Sequence, residues 1–223
     1  MSLNIAILNC YADEPTSAPS ASFFAKHIPD TKIINVCFDE QIGDIHDFDG
    51  YIVSGSRSGH KDKEVWINDL RKIIREIHSE DIPCLAVCFG HQVVAHTFNG
   101  TTVRSLAGEE GFQNIPTMAG DNIIRLFADL SNPVKVFQSH KDAVMKPPKG
   151  SINTIYNDKC VQYYEYGSIY SIQSHPEISV QTALEIAKKE GRETASFLNG
   201  VTEENCQSQK IIENFYNIVK YSE

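Results

Sequence analysis

The feature that most constrains the fold is an alternation of strand-like and helix-like segments in the first half of the chain. Short apolar runs at 4–9, 32–37, 49–56 and 84–87 predict strands. Amphipathic segments separate them, and the clearest covers 64–80, where Ile and Leu recur mostly at three- and four-residue steps. This β-α-β-α order is typical of parallel strands joined by right-handed crossovers. We therefore predict an α/β fold of three layers, with a mostly parallel central sheet and helices on both faces.

The pattern changes in the second half of the chain. Several short strand-like stretches follow one another with turn residues between them, and EYGSIY (165–170) is typical of a hairpin. These stretches predict a small antiparallel element in the C-terminal half. Two helices, over 179–197 and 203–220, are predicted to end the chain. Since no repeat or linker interrupts the sequence, we expect a single domain over residues 1–223.

Composition excludes several classes of partner. The net charge of −9, from 20 basic and 29 acidic residues, argues against nucleic acid, which requires concentrated Lys and Arg. No apolar run reaches the roughly 18 residues of a membrane span, and the N-terminus lacks the features of a signal peptide. We therefore expect a cytoplasmic protein with reduced thiols. Its 6 cysteines have no zinc-site spacing, so the sequence predicts neither a metal nor a cofactor.

One cysteine lies at a position that favours chemistry. Cys88 ends the predicted strand CLAV and a helix follows at once, with the small residues Ala86 and Gly90 two positions before and after it. A sharp strand-to-helix turn of this kind, a nucleophile elbow, exposes a side chain above the sheet edge where α/β proteins bind ligands. The free N–H groups at the helix start stabilise negative charge. The alternative is a buried strand cysteine followed by a chance glycine, and the turn alone leaves both open.

A histidine with a nearby carboxylate supplies the base that a thiol nucleophile needs. In QSHPE (173–177) a predicted strand ends at His175, and Glu177 follows across a proline. A carboxylate can orient an imidazole and stabilise its charged form. On its own this motif is typical of a strand-terminating turn, but together with Cys88 it favours catalysis. By contrast, His60 is predicted to be a surface residue and Asp142 to cap a turn.

These motifs together resemble the class I (triad) glutamine amidotransferases. VCFGHQ (87–92) and QSHPE (173–177) carry the resemblance, and it extends over most of the chain. Three weaker elements stand in family order: DGYIVSGSRSG (49–59), GEEGF (108–112) and QSHKDAV (138–144). The chain departs from the family pattern in having Ala86 for the usual glycine and SGSRSG without the common Gly-Gly-Pro. It is most similar to the guanylate-synthase-like and γ-glutamyl-peptidase-like branch.

The resemblance implies a mechanism and a set of site residues. Cys88 would attack the γ-carboxamide of glutamine and form a γ-glutamyl thioester, with His175 transferring protons and Glu177 orienting the histidine. Backbone N–H groups of Gly55 and Phe89 would form the oxyanion hole. The residues implied for substrate binding are Gln92, Ser139 and His140. This chemistry requires no metal and no cofactor.

Three functions are compatible with these residues. The first is a glutaminase that releases ammonia for an acceptor on a separate synthetase subunit, because the roughly 23 residues after position 200 are too few for a second domain. The second is a γ-glutamyl peptidase that acts on γ-glutamyl peptides or conjugates. The third is a catalytically silent binding or regulatory protein, against which the intact Cys88, His175 and Glu177 argue. The expected partners are glutamine or another γ-glutamyl compound.

Overall fold

The structure is a computed structural model that describes residues 3–11, 19–119 and 122–222. Its strands are β1 (Ile5–Asn9), β2 (Thr31–Asn35), β3 (Gly50–Val53), β4 (Cys84–Val87), β5 (Thr101–Ile115), β6 (Met118–Ala119), β7 (Asn122–Ile123), β8 (Val134–Lys146), β9 (Ile152–Tyr156), β10 (Val161–Tyr166) and β11 (Ile169–Ile172). Its helices are α1 (Pro19–Ala25), α2 (Val65–Ser79), α3 (Phe89–Thr97), α4 (Val180–Glu190), α5 (Thr194–Leu198) and α6 (Lys210–Lys220).

A sheet of 7 strands forms the centre of the molecule, in the order β2-β1-β3-β4-β11-β10-β9. Neighbouring strands from β2 to β11 run parallel, whereas β10 pairs antiparallel with both β11 and β9. Apolar residues of α2 and α3 form one core with the sheet, and those of α1 and α6 form another. The three-layer α/β fold with an antiparallel element in its C-terminal half is therefore confirmed.

The amphipathic pattern of α2 explains how the first core forms. Trp66, Ile67, Leu70, Ile74 and Ile77 are all buried. Their spacing places them on one face of the helix, so the helix buries one apolar stripe against the sheet. None of the described helices has the length and apolar character that crossing a bilayer requires.

A long antiparallel ribbon of β5 and β8 stands apart from the central sheet. The sequence predicts only short strands here, but β5 has 15 residues and β8 has 13. Phe112 and Phe137 of the ribbon pack with Phe197 of α5 in a third apolar cluster, which stabilises the ribbon. Its register places Glu109 opposite His140, next to the tip of β4.

The helical predictions for the C-terminal segment were wrong in their bounds. The helix predicted over 179–197 is broken in two, because Gly191 adopts a left-handed conformation with φ of 65° and ends α4. The side chain of Glu193 then accepts a hydrogen bond from the N–H of Ser196 and caps α5. The last helix begins at Lys210, because the preceding residues form turns in which Asn205 accepts from the N–H of Thr202.

Candidate active site

Cys88 occupies the sharp turn between β4 and α3 that the sequence predicts. Its φ of 52° and ψ of −100° are strained for a residue with a side chain and cost on the order of 1–3 kcal/mol. Its N–H donates to the carbonyl of Ile172 at 2.9 Å, which fixes the turn against β11. Only a glycine fits two residues further on, since a methyl group on Gly90 would lie 2.6 Å from the carbonyl oxygen of Val53.

His175 and Glu177 form a buried pair close to this turn. Nδ1 of His175 lies 2.7 Å from Oε1 of Glu177, and the two residues are 5% and 2% exposed. The N–H of His175 donates to the carbonyl of Phe137 at 2.7 Å, so the ribbon strand β8 holds the histidine in place. The strand that precedes it, β11, ends at Ile172, earlier than the sequence predicts.

The electrostatics of His175 link it to Cys88. Burial on its own lowers the pKa of His175, but the negative charges of Cys88 and Glu177 and hydrogen bonds with both outweigh it. The pKa of His175 therefore lies well above its ordinary value of 6.5. A thiol next to an imidazole that a carboxylate orients is the arrangement that activates a cysteine nucleophile.

The two residues implied for an oxyanion hole occupy suitable backbone positions. Phe89 is the first residue of α3, where a backbone N–H has no acceptor within the helix. Gly55 lies against the histidine, because a methyl group on it would be 2.9 Å from Cε1 of His175. Ser54 fixes this loop, accepting from the N–H of Cys10 and donating to the carbonyl of Gly55, each at 2.9 Å.

A cavity of about 960 Å³ opens above Cys88 and His175. The three residues implied for substrate binding, Gln92, Ser139 and His140, all line it. The carbonyl oxygen of Ser139 lies 3.9 Å from Sγ of Cys88. Exposed charged residues line its outer part: Arg57, Arg104, Glu110, Lys141, Glu185, Lys189, Glu190 and Arg192. The cavity is therefore open to solvent and carries both signs of charge at its mouth.

Gln92 and His140 already have polar partners within the protein. Nε2 of Gln92 donates to the carbonyl of Asp142 at 2.8 Å and to Oε1 of Gln173 at 3.3 Å. Nδ1 of His140 lies 2.9 Å from the same carbonyl of Asp142. The side chains are thus held in fixed orientations at the cavity wall, and β8 supplies the acceptor for both.

A second group of ionisable side chains lies beside the cavity. Oε2 of Glu109 lies 3.3 Å from Nε2 of His140 and 3.5 Å from Sγ of Cys160. Burial, and then the charge of Glu109, raises the pKa of Cys160 to about 12. Burial raises the pKa of Glu109 itself, but its interactions with His140, Asn157 and Cys160 outweigh burial and lower that pKa. The element GEEGF (108–112) contains Glu109, but no local sequence pattern marks Cys160 or brings the two residues together, because they meet only in the folded chain.

The structure corrects two further expectations. His60 is only 2% exposed, and its Nδ1 lies 3.1 Å from Oδ2 of Asp142. Its Nε2 lies 2.6 Å from Oγ1 of Thr102. His60 therefore connects the loop after β3 to both strands of the ribbon. The surface position predicted for His60 was therefore wrong. The turn-capping role predicted for Asp142 was also wrong, because its side chain is the partner of His60. Tyr11, which follows β1 and lines the cavity, is another residue that the sequence does not single out.

Comparison with known proteins places this arrangement in a family. Residues 27–191 match the family model for class I glutamine amidotransferases. Gamma-glutamyl peptidase 2 of Arabidopsis thaliana is 27% identical over 64% of this chain. The chain matches only 59% of that protein's length. A glutamine-hydrolysing GMP synthase subunit of Methanococcoides burtonii is 31% identical, over 67% of this chain and 75% of its own.

Solved structures show the same fold. A glutamine amidotransferase from Thermotoga maritima superimposes with a TM-score of 0.80 at 17% identity, over 100% of both chains. A putative GMP synthase subunit from Thermoplasma acidophilum gives a TM-score of 0.72 at 21% identity, over 99% of this chain and 95% of its own. The family model covers most of the chain, and these structures share its architecture from end to end. The chain therefore belongs to the class I glutamine amidotransferases.

Proposed function

We propose that the chain hydrolyses γ-glutamyl amide bonds through a thioester on Cys88. The observation that carries this proposal is the strained backbone of Cys88 at the start of α3, next to the buried pair of His175 and Glu177. Backbone strain of this kind persists only where the surrounding structure enforces it, and it clusters at active sites. A protein that used this fold only for binding would gain nothing from the strain.

The first half of the reaction forms the thioester. Sγ of Cys88 attacks the γ-carbonyl carbon, and the thiol proton passes to His175. The N–H groups of Phe89 and Gly55 stabilise the oxyanion of the tetrahedral intermediate. As the carbon–nitrogen bond breaks, His175 gives the proton to the leaving nitrogen, which departs as ammonia or as a free amine.

The second half releases glutamate. A water molecule transfers a proton to His175 and attacks the thioester carbonyl, and the same N–H groups stabilise the second oxyanion. The carbon–sulfur bond then breaks, the proton returns to Cys88, and the γ-carboxyl group leaves as a carboxylate after giving its own proton to solvent. Glu177 keeps the ring of His175 oriented and stabilises its charged form in both halves, which is the role of the third member of a triad.

The residues on the cavity wall suit the glutamyl end of the substrate. Gln92, Ser139 and His140 line the cavity next to Cys88, where the α-amino and α-carboxylate groups of a bound γ-glutamyl group must lie. We assign them to binding that end. The fixed orientation of Gln92 would leave its carbonyl oxygen as an acceptor for the ammonium group, since its amide nitrogen already donates to Asp142 and Gln173.

The cavity favours a γ-glutamyl peptide over glutamine as substrate. Glutamine loses only ammonia, which requires no space beyond the glutamyl site, whereas a peptide leaving group needs an open, polar channel. The cavity of about 960 Å³ has such a channel, with charged side chains on its outer wall. Release of ammonia to a separate synthetase subunit is the second candidate, and similarity to the GMP synthase subunit of Methanococcoides burtonii supports it.

A substrate panel on the purified chain separates the two candidates. We expect turnover of γ-glutamyl dipeptides to exceed that of glutamine, because only the dipeptides use the outer cavity. A kcat for glutamine of about 10 s⁻¹ or more without any partner, with negligible dipeptide turnover, would refute the peptidase assignment. Activity on glutamine that appears only when a synthetase subunit is added would support the second candidate.

The chemistry itself is tested at the two cysteines of the β4 segment. Cys88→Ser should abolish hydrolysis and labelling by a γ-glutamyl-directed electrophile. Cys84→Ala is the matched control, because Cys84 lies in the same strand, is fully buried and takes no part in the proposed reaction. Unchanged labelling of the Cys88→Ser protein would refute the thioester mechanism for any γ-glutamyl substrate.

A further inference from the structure

The group of Glu109, His140 and Cys160 has the composition of a metal site, although the sequence gives no zinc-site spacing. The three ligand atoms all lie within 4.8 Å of one another. They belong to β5, to β8 and to the turn before β10, so only the folded chain brings them together. One imidazole, one carboxylate and one thiol match the ligand types that Zn²⁺ prefers.

Two of the three distances within the group agree with the edges of a coordination tetrahedron. Zinc bonds of about 2.0–2.3 Å at tetrahedral angles separate neighbouring N, O and S ligands by roughly 3.3–3.6 Å. Oε2 of Glu109 lies 3.3 Å from Nε2 of His140 and 3.5 Å from Sγ of Cys160. The third pair, Nε2 of His140 and Sγ of Cys160, lies within 4.8 Å, so the carboxylate of Glu109 is placed to share one ion with either of the other two ligands.

The orientation of His140 makes one of its ring nitrogens available to a cation between the side chains. Its Nδ1 lies 2.9 Å from the carbonyl of Asp142, which can only accept, so Nδ1 carries a proton. In a neutral ring, Nε2 then presents a lone pair to the carboxylate of Glu109. The side chain of His140 is 3% exposed, and its Nε2 forms no well-aligned hydrogen bond. A backbone carbonyl that fixes the tautomer in this way is the usual support of a metal-bound histidine.

Side-chain amides support the two other ligands of the group. Nδ2 of Asn157 donates to Oε1 of Glu109 at 2.8 Å, which leaves Oε2 directed at the group. Nε2 of Gln162 lies 2.9 Å from Oε2 of Glu109 and 3.1 Å from Sγ of Cys160. An amide donor beside the sulfur stabilises a thiolate. Gln138 orients this amide, because its Nε2 donates to Oε1 of Gln162.

We propose that Glu109, His140 and Cys160 form a binding site for Zn²⁺ or a divalent ion of similar ligand preference. Binding replaces the proton of the Cys160 thiol, which goes to solvent, and leaves Glu109 ionised and His140 neutral. Because Glu109 and His140 line the cavity, an ion can reach the site from the cavity. The site shares His140 with the proposed substrate-binding wall, so a bound ion would hold β8 at the residue next to Ser139.

Cobalt and zinc binding to a Cys88→Ser protein test this proposal, since the substitution removes the thiol of the candidate active site. We expect one equivalent of Co²⁺ to give a thiolate-to-cobalt band in the near ultraviolet. We also expect Zn²⁺ to displace the Co²⁺ and raise the Tm. Adding Cys160→Ser should remove the band and weaken Zn²⁺ binding at least about tenfold, as even supporting partners of metal ligands contribute about 10–100-fold.

Two further variants separate ligand loss from misfolding. Cys206→Ser, which removes a half-buried thiol whose polar contacts are Ser208 and Gln209, should leave the band and the affinity unchanged. Glu109→Gln keeps the shape of the side chain and should weaken Zn²⁺ binding while the protein still unfolds cooperatively. Absence of a cobalt band in the Cys88→Ser protein, or a band that survives Cys160→Ser, would overturn the proposal.

Discussion

The tight packing of Gly90 offers the sharpest test of the proposed site. In Gly90→Ala the new methyl group would lie 2.6 Å from the carbonyl oxygen of Val53, whereas an ordinary contact begins at 3.4 Å. The start of α3 or the end of β3 must therefore move by about 0.8 Å. The obstructing atom belongs to the backbone of a central strand, so no side-chain rotation relieves the contact.

This displacement should reduce catalysis more than stability. Overpacking of this size costs roughly 1–3 kcal/mol of unfolding free energy. A shift of about 1 Å in reacting groups can reduce the rate about 100-fold. Cys88 and Phe89 begin the helix that must move, so the nucleophile and one oxyanion donor shift together. We therefore expect Gly90→Ala to lower the rate of labelling by a γ-glutamyl-directed electrophile by about 100-fold.

The measurement combines mass-spectrometric labelling kinetics with urea unfolding. Gly150→Ala is the control, because Gly150 has φ of +97° and has no atom within 4 Å of an added methyl group. That substitution strains the backbone in the loop between β8 and β9 and should cost stability while labelling stays unchanged. If Gly90→Ala labels within about threefold of the parent protein, the elbow does not position the nucleophile as argued.

Three other predictions concern side chains around the site. Glu177→Gln should lower the pKa of His175, which NMR of the imidazole ring measures. The raised pKa contributes stability that is complete below about pH 6.5 and is lost as the pH rises through the pKa of the folded state. In the variant this contribution to stability should therefore disappear at a lower pH than in the parent protein. An unchanged ring titration would contradict this. His60→Gln should make stability less sensitive to acid, because burial lowers the pKa of His60 to about 4. In the parent, stability should fall by at most about 3 kcal/mol between pH 6.5 and 4, measured by urea unfolding. Gly55→Ala should abolish turnover without unfolding the protein, because its methyl group would lie 2.9 Å from the ring of His175; circular dichroism checks the fold, and full activity would exclude Gly55 from the site.

The parts of the fold that local patterns determine were predicted well. Strands β1 to β4 and helix α2 follow from apolar runs and from one strongly amphipathic segment, and the structure confirms them. The turn at Cys88 was also predictable, because small residues on either side of a cysteine mark a tight turn between strand and helix. These features depend on neighbours in sequence, which a single chain displays directly.

The parts that depend on long-range pairing could not be predicted. The length of β5 and β8 comes from their mutual register, which joins Glu109 to His140 across the ribbon. His60 appears polar and solvated in its local sequence, but β5 and β8 bury it beside Thr102 and Asp142. Since each partner is remote in sequence, neither periodicity nor motif spacing indicates these contacts.

Two groups, each of one cysteine, one histidine and one glutamate, lie close to the cavity. They differ in whether the carboxylate contacts the thiol, and this difference determines their chemistry. At the proposed active site the carboxylate of Glu177 lies 2.7 Å from the imidazole, which leaves the thiol to face the ring. In the second group the carboxylate of Glu109 lies 3.5 Å from the thiol of Cys160 itself, and the pKa of that thiol rises to about 12.

A nucleophile needs a base that receives its proton and a carboxylate that stabilises the base, in that order. Of these two thiols, only Cys88 has that order, together with the backbone position at the start of a helix. In the second group a carboxylate that adjoins the thiol directly opposes its ionisation, unless a cation compensates for both negative charges. The arrangement that makes Cys160 a poor nucleophile is therefore the one that suits a metal ligand, and the same three residue types serve different chemistry in the two groups.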